Sequence, residues 1–147
     1  MTIDSARLAL PFLETGQAQK EWTHNEALAL LDIAVQATVE GVADSPPASP
    51  AAGACWIVGG TPSGAWAGRA GSVAGWTAGG WRFVGAREGM SAWSLAEDTI
   101  VRYRNGAWSL DRVPPITAPS GGTTIDAECR SAVAAILAAL QIRGWLA

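Results

Sequence analysis

Thr99-Ile100-Val101-Arg102-Tyr103-Arg104-Asn105-Gly106-Ala107-Trp108-Ser109-Leu110 is the stretch that reads most directly as structure. Two short apolar runs flank Asn105-Gly106, a pair that tolerates the positive φ angles both central residues of a type I′ turn require, so a two-residue β-hairpin is predicted. The turn sets the register. Tyr103 stands opposite Trp108, Val101 opposite Leu110 and Arg102 opposite Ser109, because a slip of one residue would turn every side chain to the wrong face. One face of the hairpin is then apolar and the other wet.

The same character extends over residues 55–112, where short apolar runs alternate with Gly-rich turns, the pattern of small antiparallel strands. A second hairpin is expected between Ser72–Thr77 and Trp81–Val84. The three small residues Ala78-Gly79-Gly80 leave its turn type and register open. Gly64-Ala65-Trp66, Ala74-Gly75-Trp76, Gly79-Gly80-Trp81, Ser91-Ala92-Trp93 and Gly106-Ala107-Trp108 each place two small residues before an indole. Their spacing is too irregular for a solenoid or a propeller, and they read as turn-into-strand junctions.

The flanks differ in composition. Residues 43–54 hold Pro46, Pro47 and Pro50 among Ala and Ser, an extended linker. Before it, the sequence predicts a helix from Thr23 to Glu40, opened by a capping box in Thr23-His24-Asn25-Glu26. Its stripe is Leu28, Leu31 and Val35, widened by Ala27, Leu30, Ala34 and Ala37. Leu8–Leu13, broken by Pro11, reads as an extended arm that lies across a neighbour. The arm and helix together make residues 1–42 an oligomerisation and anchoring segment. A second Pro/Gly linker covers 113–123. A C-terminal helix is expected from Thr124 to Ile142 within residues 124–147, capped through Thr123-Thr124-Ile125-Asp126 and closed by Arg143 and Gly144. Cys129, Val133, Ile136 and Leu140 form its seam. The expected class is α+β: extended N-terminal arm, long N-terminal helix, small Trp-rich antiparallel sheet or partial barrel, and C-terminal helix.

Composition excludes several functions. With 147 residues, 10 basic against 13 acidic and a net charge of −3, there is no electrostatic footprint for nucleic acid. The apolar run Ala132–Leu140 is half the length needed to cross a bilayer, so no membrane insertion is expected, and the first residues do not show the basic-then-apolar layout expected of a signal peptide. Cys55 and Cys129 stand far apart with no second Cys or His at ligand spacing. Both are expected to be buried thiols, with no metal site and no cofactor.

Taken in order, Leu8-Ala9-Leu10-Pro11-Phe12-Leu13, Gly16-Gln17-Ala18-Gln19-Lys20, Thr23-His24-Asn25-Glu26-Ala27-Leu28 and Leu31-Asp32 resemble the opening signature of the DUF2793 family. The resemblance continues through Pro46-Pro47-Ala48-Ser49-Pro50, Trp56-Ile57-Val58-Gly59, Gly64-Ala65-Trp66, Gly80-Trp81-Arg82-Phe83 and Glu88-Gly89, over roughly residues 6 to 110. The tail from Asp126 to Leu146 is similar to short C-terminal helices of phage-fibre-like proteins. DUF2793 is a domain of unknown function carried by alphaproteobacterial phages, prophages and gene transfer agents. The resemblance implies a virion appendage, a head spike or tail fibre or its adaptor, made in the bacterial cytoplasm and assembled into a released particle. It implies no catalytic residues. Its partners would be other particle proteins, host surface polysaccharide and copies of the chain, with a trimer as first choice and a pentamer as the alternative.

Eight tryptophans against one tyrosine and two phenylalanines are the main candidate site residues. An indole face stacks on the apolar face of a sugar ring, and equally fills a small β core. Trp56, Trp81 and Trp108 are expected inside. Trp66, Trp76 and Trp93, flanked by Gly, Ala and Ser, are expected exposed as a carbohydrate-binding platform. Leu28, Leu31, Val35, Cys129, Val133, Ile136 and Leu140 are the candidate oligomer interface. Gln17, Gln19, Lys20 and Asn25 could add hydrogen bonds between subunits. His24 suits a structural hydrogen bond. Glu97-Asp98, adjacent on one segment, cannot face each other across a sugar and read as a solvated turn. Ser120-Gly121-Gly122 and Gly59-Gly60 are turns. No catalytic residues are assigned, so the expectation is a non-enzymatic structural protein. A stand-alone carbohydrate-binding module is the competing class, and a glycan hydrolase the third.

Overall fold

Helix α1 spans Lys20–Ala34 in the computed structural model, which describes residues 4–14, 16, 20–110, 115–123 and 126–142. Thr23 therefore lies inside the helix, exposed, and does not cap it. The helix also stops six residues short of Glu40. The cause is Arg7, whose guanidinium donates to the carbonyls of Asp32, Ile33 (3.3 Å) and Gln36 (2.8 Å). Those are orphan carbonyls at the negative end of the helix dipole, where a cation is stabilising. Gln36 then takes a left-handed φ of 46° and the chain leaves the helix.

The arm closes on its own helix. Ser5 Oγ and the Leu8 N–H each donate to the Asp32 carboxylate at 2.7 Å, and the Arg7 N–H donates at 3.1 Å. The Leu13 N–H donates to Asn25 Oδ1 at 2.8 Å, while Asn25 Nδ2 donates to Leu13 O at 3.0 Å. Asn25, expected between subunits, is thus spent within the chain. Gln17 and Gln19 lie outside the described residues. The buried side of α1 is Glu21, Ala29, Asp32 and Ile33, whereas Leu31 and Val35 are 48% and 45% exposed. Of the predicted stripe, Ala37 enters the core, whereas Leu31 and Val35, named for the oligomer interface, do not form the core face of the helix. Ile33 takes that place because Gly75, beneath it, leaves room.

Two four-stranded sheets follow. The first orders β1 (Thr38–Val39), β6 (Ser91–Ser94), β7 (Thr99–Arg104) and β8 (Ala107–Leu110). The second orders β2 (Val42–Ala43), β3 (Cys55–Val58), β4 (Val73–Thr77) and β5 (Gly80–Val84). They do not close into a barrel. The β7–β8 hairpin pairs Tyr103 with Trp108, Val101 with Leu110 and Arg102 with Ser109, with φ of 53° at Asn105 and 79° at Gly106. The β4–β5 turn is two residues, Ala78-Gly79, since Gly80 already pairs with Thr77. Its Thr77 Oγ1 donates to Gly80 O at 2.8 Å.

Not all pairing is antiparallel. β1 joins β6 and β2 joins β3 in parallel, so residues 38–43 serve the first sheet and then the second. Ile33, Ala37, Val39, Cys55, Ile57, Val73, Ala92 and Val101 form the core that the sheets and α1 share. The segment assigned to a linker also belongs to the β unit. Asp44 accepts from the Thr61 N–H through Oδ1 and from the Ser63 N–H through its carbonyl, and the Gly53 N–H donates to Trp76 O.

Residues 115–123 are exposed throughout. Helix α2, Ala127–Ile142, is capped by Asp126 Oδ1, which accepts from the Cys129 N–H at 2.9 Å. Thr124, Arg143 and Gly144, expected to bound this helix, lie outside the described residues, as does the 145–147 tail. No described residue of α2 is buried. Cys129 is exposed, against expectation, on a helix of which no described residue is buried, while Cys55 is a buried free thiol. Among the described residues no helix is long and apolar enough to cross a membrane.

Candidate functional site: an aromatic sheet face

Strand alternation gives the second sheet two unlike faces. Cys55, Ile57 and Val73 enter the shared core. The alternate residues Trp56, Val58, Ala74, Trp81 and Phe83 form a second cluster on the other face. Register places Trp76 opposite Trp81, and Ala74 between Trp56 and Phe83. Ala74 is the only small side chain in that row, and the space above it is filled from outside. A 3₁₀ turn, Gly64–Trp66, folds back over the sheet and sets the Trp66 indole there, fully buried.

Trp66 lies 5.1 Å from Trp81 and 6.2 Å from Trp56, centroid to centroid, and Trp76 lies 5.0 Å from Trp81. The Trp66–Trp81 and Trp76–Trp81 contacts are edge-to-face, the arrangement the ring quadrupole favours. Arg69 stands 5.0 Å over the Phe83 ring, a cation–π contact at the margin of the patch. Trp66 Nε1 is buried with no hydrogen-bond partner.

Trp66 therefore corrects its predicted exposure. Gly64 and Ala65 do not display the indole; with Gly64 at φ 58° they make the turn that folds it inward. Nor do all the small-small-Trp triplets mark turns entering strands, since Gly64–Trp66 is the 3₁₀ turn and Ala74-Gly75-Trp76 lies inside β4. Trp56, Trp81 and Trp108, expected inside, are only partly buried.

The three candidate platform residues do not assemble. Trp66 is interior and Trp76, partly buried, reaches it through Trp81. Trp93, 40% exposed, alternates with the core residue Ala92 and so lies on the outer face of the other sheet, paired with Ile100. What remains at the surface is the row Trp56, Trp81, Trp76 and Phe83, edged by Arg69.

Sequence reading also missed a cleft of about 460 Å³ between the sheets, lined by Trp56 and Trp108 with Glu40, Val42, Glu97 and Leu110. Trp108 is fixed there by its Nε1–H donating to Gly71 O at 2.7 Å. No local signal could reveal this cleft, because its walls come from residues 40–43, 56, 94–101 and 108–110, which meet only in the folded chain.

The remaining candidates are plain. Glu97 and Asp98 lie in the turn before β7, with Asp98 at φ 49°. His24 is exposed on α1. Among the described residues no group of three or more His, Cys, Asp or Glu could hold a metal. Leu28 is half-buried, Ile136 is 59% exposed, and Val133 and Leu140 are partly covered. Burial pushes the Cys55 thiol up to about 11, with Arg7 pulling the other way and Asp32 and Glu40 adding to the rise. The chemistry on offer is therefore apolar stacking with a polar margin.

A search of curated proteins finds no match to the chain. The family model described as "Protein of unknown function (DUF2793)" matches residues 24–109, more than half of the 147 residues, including most of α1 and nearly all of both sheets. The chain therefore belongs to the DUF2793 family.

Proposed function

We propose that this protein is a non-enzymatic structural subunit of a phage-like particle such as a gene transfer agent, part of a head spike or tail fibre that supports adhesion to host surface polysaccharide. The observation that carries the proposal is α2, a helix of 16 residues rich in Ala, Ile and Leu in which none is buried. Isolated helices near this length are marginal in water, and most helical stability comes from packing an apolar face. The partners that fit best are α2 helices of other copies, meeting through Cys129, Val133, Ile136 and Leu140. Exposed Leu31 and Val35, beside half-buried Leu28, offer a second contact. A trimer is the first choice and a pentamer the alternative. The row Trp56, Trp81 and Trp76 offers indole surface to a sugar ring.

A second reading, the adaptor that holds a separate receptor-binding protein, gains support from the burial of Trp66 and the separation of Trp93 from Trp76. Both remove stacking surface from a common platform.

The test is to purify the particles released by the producing bacterium and identify their proteins by mass spectrometry. Wild-type particles should contain the chain, and particles lacking it should adsorb poorly to host cells. Absence of the chain from the particles sinks the proposal. Tryptophan fluorescence of the purified protein titrated with host polysaccharide separates the readings. A shift lost in Trp76→Ala supports direct contact, and no shift supports the adaptor.

A further inference from the structure

Val42 and Leu110 belong to the core faces of their sheets and yet are open. Register sets Val42 beside Ile57 and Leu110 beside Val101, both buried, and residues directly opposed in a sheet share a face. Val42 is nonetheless 65% exposed and Leu110 45%. Both lie on edge strands, β2 at a margin of one sheet and β8 at a margin of the other. The core is therefore left uncovered between these two edges.

Two cavities meet that opening. One is the cleft of about 460 Å³, and the other, of about 350 Å³, is lined by Gly59, Gly60, Gly71 and Tyr103; Val42 and Trp108 line both. Trp108 shares the face of Leu110, two residues on. Its Nε1–H donates to Gly71 O at 2.7 Å, and its ring meets Tyr103 edge-on at 5.5 Å, so the indole is oriented before any guest arrives. A groove thus runs between β2 and β8, with Trp108 common to its two halves.

The size of each half falls in the range of small-ligand sites, about 300–1,000 Å³. Glu40, Glu97 and Ser109 stand in the walls of the larger half, and no Lys, Arg or His is among the described residues lining either. A neutral pyranose fits this mixture. Its C–H face stacks on an indole and lies against Val42 and Leu110, while its hydroxyls donate to carboxylate and serine oxygens. An anionic sugar would meet carboxylates without a counter-charge, and a wholly apolar guest would set hydrocarbon against them.

We propose that the β2–β8 groove is a subsite for neutral sugar, with one pyranose stacked on Trp108. The inference rests on the sugar contact proposed above and extends it. Trp56 lines the larger half and lies 5.7 Å from Trp81, so the groove and the outer row join at Trp56.

The test follows the indole N–H resonances of the full chain by NMR, with that of Trp108 assigned through Trp108→Phe. The probes are neutral trisaccharides from host surface polysaccharide, with trigalacturonate as the anionic control and acetyl-tetra-alanine amide as the peptide control. The expected result is a saturable shift of the Trp108 resonance and of the Val42 and Leu110 amides with a neutral trisaccharide, at least tenfold weaker in Val42→Arg. Because Val42 is an open position, the new side chain fills the groove without entering the closed core, and an unmoved Trp66 resonance certifies the fold. Equal response to trigalacturonate or to the peptide, equal binding in Val42→Arg, or no saturable shift would overturn the inference. A shift at Trp76 that is lost in Trp76→Ala and kept in Val42→Arg overturns the groove alone and leaves the outer-row contact standing.

Discussion

A Cβ placed on Gly75 would stand 2.5 Å from Ile33 Cγ1 and 3.3 Å from Cys55 Sγ, closer than packed atoms tolerate. Gly75→Ala should therefore cost about 1–3 kcal/mol, the range for overpacking a filled core, read from the midpoint of urea unfolding. Cys55, next to it, gives a pH test. Its thiol is held protonated to about 11 against an ordinary 9.0. A raised pKa means the folded state keeps a proton that the unfolded chain loses, so this contribution is full below pH 9 and disappears as pH rises from 9 to 11. Stability of the Cys129→Ser variant should fall by roughly 2 kcal/mol more across that window than stability of Cys55→Ala/Cys129→Ser. A parallel pH dependence in the two variants would contradict the assignment. At this scale the sequence was least legible. Trp66 reads as exposed because its neighbours are small, yet the small residue that decides its place is Ala74, on a strand it meets only after folding.

Elements governed by local chemistry were legible, and those ended by distant groups were not. The β7–β8 hairpin follows from Asn105-Gly106 because two consecutive residues at positive φ fix both turn and register. The limit of α1 does not, because Val35, Ala37 and Val39 continue an apolar pattern while the stop comes from Arg7, far upstream. Asp32 is the counterpart of that stop, gathering Ser5 Oγ and the N–H groups of Arg7 and Leu8. Asp32→Ala should destabilise the fold by about 1.5–3 kcal/mol, the scale of hydrogen bonds to a charged group. Hydrogen exchange should quicken most at the Leu8 and Leu10 amides. Unchanged protection there would mean that the arm is held by something else. Trp66→Ala, which empties the middle of the aromatic cluster, should cost about 3–5 kcal/mol, whereas Trp93→Ala, on a solvent-facing position, should fall near the smaller surface range.

For the whole molecule, the α+β class could be read from composition changes at the prolines and glycines, whereas the strands begin at Thr38, upstream of the expected β unit. The division into two sheets could not, because it depends on residues 38–43, which a helix pattern and a linker pattern had claimed between them. The candidate platform failed for the same reason. Sheet membership decides which outer face each indole occupies, and Trp76 and Trp93 are in different sheets. The family match covers residues 24–109 and not α2, the helix on which the proposed assembly rests. The direct measurement is the mass of the full chain in solution by multi-angle light scattering, with Ile136→Asp as the partner sample. The expected result is a stable oligomer, a trimer or otherwise a pentamer, that falls to monomer when a charge replaces Ile136. A wild-type monomer at micromolar concentration, or an oligomer indifferent to Ile136→Asp, would contradict it.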